Sequence, residues 1–213
     1  MLFRSTTYGS GTGVMYATGT LAELEFLEGN AALALDAAER SNYQMRQLGQ
    51  ERGMSRNLIT LGHAAIGVGD YARARRAYLD ALRRSLPAER LPVIGAAMLG
   101  MASLTSGMQA ADRQKWTLPT NLPTSRTCLE AAQVLYRTVR RPLGLIERKH
   151  AKDTGLVFPD PASASVVPTP SPLDNGNALR PGMPVDGYPL PELKTVLTLA
   201  RSLAATIGQR GTD

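Results

Sequence analysis

Small and apolar residues recur along the first half of this chain in a fixed pattern. It reads Leu21, Ala22, Phe26, Gly29; then Leu61, Gly62, Ile66, Gly69; then Leu99, Gly100, Leu104, Gly107. The internal spacing is the same in every copy, and the copies stand 40 and then 38 residues apart. A period of about 20–50 residues marks a chain built by stacking one supersecondary unit. The pattern inside and between the copies predicts helical hairpins.

In the first unit, Thr20 and Glu23 have capping-box spacing, and the run over 21–28 reads as a helix closed by Gly29. Asn30 is placed to cap the next helix. Ala34, Ala37, Ala38, Ser41, Met45 and Leu48 form its inward stripe, and Gly49 and Gly53 break it. The second unit is the cleanest. It predicts a helix over 58–68, a turn at Gly69 and Asp70, and a helix over 71–86. Ala74, Ala77, Tyr78, Ala81 and Leu82 face inward, while Arg73, Arg76, Asp80, Arg83 and Arg84 face away.

The third unit opens with Pro92 in a first turn, where a missing N–H is harmless. A helix over 93–106 follows. The pattern then fails through Trp116, Leu118, Pro119, Leu122 and Pro123, because two nearby prolines exclude a continuing helix. Helix resumes at Thr127, which has capping-box spacing to Glu130. Its stripe is Leu129, Ala132, Leu135, Tyr136 and Val139, and Pro142 ends or kinks it. Prolines crowd the stretch from 155 to 191, which reads as an extended linker. A last helix over 191–207 carries an apolar face of Leu193, Val196, Leu197, Ala200, Leu203, Ala204 and Ile207. A lone helix of that length is marginal in water, so the face must bury. It either caps the array or docks on another chain, the second being a route to an oligomer. The expected organisation is a flexible N-terminus (1–14), an all-α repeat domain (15–154), a Pro-rich linker (155–190), and a C-terminal helix and tail (191–213).

The second unit resembles a tetratricopeptide repeat, or TPR, a pair of antiparallel helices with small residues where they touch. Leu61, Gly62, Gly69, Asp70, Ala74, Tyr78 and Ala81 carry the likeness. The first unit matches through Leu21, Ala22, Gly29, Ala34 and Ala38, with Ser41 at the last small position. The third matches through Leu99, Gly100 and Gly107 and departs at Asp112, Trp116 and Pro119. The long spacing and the phrase LGHAAIGVGDYARARR look like the arrays of bacterial signal-transduction ATPases and the transcriptional activators built on them. That resemblance implies a superhelix of hairpins and a role in protein binding. The chain has no Gly-x-x-x-x-Gly-Lys-Ser/Thr loop and no DNA-reading helix-turn-helix. The implied role is that of a detached sensor or scaffold.

Composition agrees with helices. Of 213 residues, 43% are hydrophobic and only 5% aromatic, with alanine and leucine prominent, which lose little freedom in a helix. No run approaches the ~20 apolar residues of a membrane span. The first residues carry no long apolar signal core, and no amphipathic basic helix marks a transit peptide. Cys128 is the single cysteine. It excludes an intramolecular disulfide and a cysteine zinc site, reads as a small buried thiol, and fits a cytoplasmic location.

Candidate chemistry is sparse. Gly9, Gly11 and Gly13 lack the lysine and preceding strand of a phosphate loop and read as flexible chain. Glu23, Glu25 and Glu28 read as the wet face of a helix. His63 aligns with Glu23 and Met101 in the neighbouring units and is expected to face solvent or the groove. Stacked repeats create concave surfaces, so Glu25, His63, Met101 and Trp116 are the candidate partner-binding residues. No catalytic residue, cofactor or metal is assigned. The net charge is +6. Its densest basic stretch is Arg137, Arg140, Arg141, Arg148, Lys149 and Lys152, opposed by Glu147 alone. That stretch reads as a solvated helix end complementing the helix dipole; the alternative is a nucleic-acid-associated regulator holding phosphates there.

Overall fold

The computed structural model describes residues 10–107, 124–158 and 192–206. Among these residues every regular element is helical. In chain order they are α1 (Ser10–Glu28), α2 (Ala31–Gln47), α3 (Glu51–Gly67), α4 (Tyr71–Ser85), α5 (Leu91–Gly107), α6 (Ser125–Thr138), α7 (Leu145–Asp153) and α8 (Leu193–Ala205). Trp116 and the Pro-rich segment over 159–191 lie outside the described residues. None of the described helices is long and apolar enough to cross a membrane.

Three antiparallel hairpins stack in order: α1 with α2, α3 with α4, α5 with α6. Each second helix also packs on the next first helix, α2 on α3 and α4 on α5, and the first helices touch along the array. The irregular third unit is therefore completed by α6, with residues 108–123 between its two helices.

The recurring signature has a packing cause. Tyr78 on α4 is fully buried, and its ring lies between Gly62 on α3 and Gly100 on α5. A Cβ at either glycine would overlap that ring. In the first unit the place equivalent to Tyr78 is Ala38, and Ala22 stands where the later copies have glycine; both alanines are buried. In the first two units the last signature glycine closes the helix. Gly29 and Gly69 adopt φ of +92° and +79°, a region glycine enters without a Cβ penalty.

Several boundaries differ from the sequence expectation. The first helix begins at Ser10, inside the stretch expected to be flexible, so Gly11, Gly13 and Thr20 are helical and Thr20 is no cap. Burial of Met15 and the hydrogen bond from Ser41 Oγ to the Met15 carbonyl (3.0 Å) hold this extension onto α2. Gly53 lies within α3 rather than breaking a helix. Asn30 occupies the cap position of α2 without a side-chain cap bond, since its Nδ2 donates to Glu25 Oε2 (2.9 Å). Asp70 does cap α4, accepting from the Arg73 N–H at 3.0 Å. The cap of α6 is Thr124, which accepts from the Thr127 N–H, so that helix starts two residues before Thr127. It ends at Thr138, ahead of Pro142, and Arg140 turns the chain at φ +51°.

Two further helices cover the array. The apolar face of α8, with Val196, Leu197, Ala200, Leu203 and Ala204 buried, packs on α4 and α6. That face is thus buried within the chain, as the capping alternative expects. On the opposite layer, α7 packs on α1 and α5 through Ile146, His150 and Ala151.

Candidate functional site

The first-helix face, expected to be an open groove, carries α7. His150 of α7 stacks on His63 of α3, with ring centroids 3.7 Å apart and planes 16° from parallel. Phe26 of α1 stands 5.8 Å from the His63 ring and 6.5 Å from the His150 ring. His63 Nδ1 bonds the Tyr78 hydroxyl at 2.7 Å, and its Nε2 is buried without a partner. Ser103 Oγ bonds His150 Nε2 at 2.6 Å and donates to the Gly100 carbonyl at 2.8 Å. A serine has one proton to give. That proton is committed to the carbonyl, so His150 Nε2 carries the hydrogen and donates to Ser103. The serine is therefore not activated by this histidine, although the pair has dyad spacing.

Burial holds His63 well below its ordinary value, and His150 adds to the effect. Burial takes His150 down to about 3, against a smaller upward pull from Asp153. Both rings are neutral at pH 7. Their in-plane lone pairs run parallel rather than converging, which does not suit a shared metal ion. A cleft of about 360 Å³ remains beside them, lined by Ile66, Tyr71, Asp153 and Thr154 among others.

This geometry changes the candidate list. His63 and Met101 are 1% and 0% exposed, so neither meets solvent or a partner; α7 and the first-helix packing cover them. Glu25 is partly exposed and occupied with Asn30 at the hairpin turn. The basic stretch is divided. Arg140, Arg141 and Arg148 are exposed, but Lys149 pairs with Asp153 at 2.6 Å and lies 5.4 Å from the Phe26 ring centre. Glu147 turns back on its own helix start, where burial raises its pKa against the lowering effect of backbone N–H groups at Glu147 and Gly144. Near it, Glu23 bonds Arg56 at 2.9 Å and holds that guanidinium above its ordinary value. Cys128 is buried and its thiol is pushed up to about 12, so it is a packing residue at neutral pH.

The open groove is on the other layer. It runs between α2 and α4, encloses about 830 Å³, and is floored by Leu58, Leu61 and Ala77. Five arginines line it: Arg46, Arg73, Arg76, Arg83 and Arg84. Arg73 pairs with Glu39 (2.8 Å) and Asp70 (3.1 Å), and Arg83 and Arg84 with Asp80 at 2.8 and 3.0 Å. Arg46 and Arg76 are exposed and form no ion pair among the described residues. Asn42 lines the same groove. It is 5% exposed, yet both its amide nitrogen and its amide oxygen lack a partner. The sequence showed Arg73, Arg76, Asp80, Arg83 and Arg84 as an outward stripe. It also holds Glu39, Asn42 and Arg46 at three- and four-residue steps, a polar stripe interleaved with the apolar one and hidden by it.

No family model, no curated protein and no solved structure matches this chain.

Proposed function

We propose that the chain is a non-catalytic protein-interaction module, a TPR-like scaffold that receives a peptide or partner helix in regulation or signalling. The observation that carries this reading is the seating of α7 across the first-helix face. Ile146, His150 and Ala151 enter that face as an amphipathic helix enters a groove. The array's surfaces are thus shaped to hold a segment of chain. The α2–α4 groove is a second such surface, and it is open. The nucleic-acid reading draws less support. Lys149 is engaged with Asp153 and Phe26, and Tyr136, which precedes Arg137 in the sequence, is buried rather than available for base stacking.

The test is capture of partners on the immobilised full-length chain, followed by titration of each captured protein in purified form. The reading expects at least one purified protein to bind saturably. It fails when no captured protein binds after purification.

A further inference from the structure

Building on that reading, we propose that the groove between α2 and α4 binds an extended, acidic segment of a partner protein. Charge selects the sign of the occupant. Glu39, Asp70 and Asp80 already engage Arg73, Arg83 and Arg84, which leaves Arg46 and Arg76 as exposed guanidinium groups on opposite walls. A guanidinium presents a planar fork that matches a carboxylate.

Asn42 selects the conformation of the occupant. A buried amide without partners is costly, and native proteins rarely keep one. Both amide atoms are sealed from solvent in the free protein, so a ligand meets them once the side chain turns outward, and its oxygen and NH2 then match the N–H and C=O of one peptide unit. A helix spends those groups internally, so the complementary ligand is extended chain. The groove length agrees. Arg73 to Arg84 spans about 16 Å of helix at 1.5 Å per residue, enough for about five residues of extended peptide at 3.3 Å each. Among the described residues no aromatic side chain lines the groove, and single-stranded nucleic acid uses such side chains as its stacking platform. The neighbouring groove between α4 and α6 shows that this layer accepts a further segment, since α8 lies there. The α8 groove takes an apolar face, whereas the α2–α4 groove offers charge.

The experiment titrates the full-length chain with a fluorescent peptide of about ten residues alternating Glu and Ala. Binding is expected to weaken as salt rises. Combined Arg46→Glu and Arg76→Glu, both at exposed positions, is expected to lower affinity by at least about tenfold. Asn42→Leu is expected to lower affinity about tenfold while leaving the melting temperature unchanged or higher, because it removes an unsatisfied buried amide. A merely structural Asn42 would give the reverse: lower melting temperature and unchanged affinity. The assignment is overturned by absence of binding at low salt or by affinity indifferent to these substitutions. It is equally overturned by equal or tighter binding of a single-stranded oligonucleotide of the same charge, or by a dimer of this chain that the arginine substitutions break. A purified natural partner that still binds the arginine variant overturns the groove assignment alone; failure of every purified partner to bind the unmodified chain overturns the module reading as well.

Discussion

Acid should weaken this fold through its two stacked histidines, and the size of the effect follows from their burial. In the unfolded chain each imidazole has a pKa near 6.5; in the fold both lie well below that, His150 at about 3. Above 6.5 both states are neutral and the pair is indifferent to pH. Below it, the unfolded chain binds one proton per histidine that the fold refuses. The unfolding free energy then falls by about 1.4 kcal/mol per pH unit for each ring, until the folded pKa is reached. Between pH 7 and pH 5 this amounts to about 2 kcal/mol for His150, and His63, also held down by burial, adds to the loss in the same direction. That is a large share of the ~5–15 kcal/mol typical of a domain. His150→Phe keeps an aromatic ring on His63 and removes one of the two titrating groups. Urea unfolding followed by circular dichroism, at pH 7 and pH 5 and fixed ionic strength, measures the change. The parent is expected to lose about 2 kcal/mol more than the variant over this range. Carboxylates common to both proteins cancel in the comparison. Equal pH dependence in the two proteins would refute the argument, because it would mean that His150 titrates freely in the fold.

Three further outcomes follow from the packing. Gly100→Ala places a methyl group against the buried Tyr78 ring and should cost about 1–3 kcal/mol by overpacking, read by the same urea titration; Gly13→Ala, with open space around it, should cost nothing. Asp70→Ala removes the cap bond to the Arg73 N–H and should destabilise by about 1 kcal/mol, while Asn30→Ala, whose side chain makes no cap bond, should cost clearly less. Cys128, buried with its thiol pushed up to about 12, should resist alkylation by iodoacetamide at pH 8 and react once urea unfolds the chain; fast labelling of the folded chain would contradict its burial.

The hairpins were legible because their signals are local. Helix-closing glycines, the Asp70 cap and three- to four-residue apolar steps depend on neighbours in sequence. Even the glycine at the second signature position was visible, although the Tyr78 ring that demands it comes from another helix. The extension of α1 to Ser10 was hidden by Gly9, Gly11 and Gly13, since glycine lowers helix propensity and only tertiary burial of Met15 overrides it. The α7 helix was hidden by its charges. Leu143, Ile146 and His150 stand at three- and four-residue steps, but Arg148 and Lys149 between them, with Arg140, Arg141 and Lys152 on either side, make the stretch look like a basic helix end. The exposed candidates His63 and Met101 failed for the same reason: without α7 in place, the first-helix face looks open. The α2–α4 groove needs two stripes, 39–42–46 and 73–76–80–84, to face each other. Their opposition is a fact of hairpin stacking that no local pattern carries.

Amide chemical-shift mapping of the full-length chain with the acidic peptide locates a bound segment on the second-helix layer or on the first. Shifts are expected on α2 and α4 around Asn42, Arg46 and Arg76, with His63, His150 and the rest of α7 unmoved. Shifts concentrated on α1, α5 and α7, with the His63–His150 contact broken, would contradict that expectation and place binding on the first-helix face by displacement of α7.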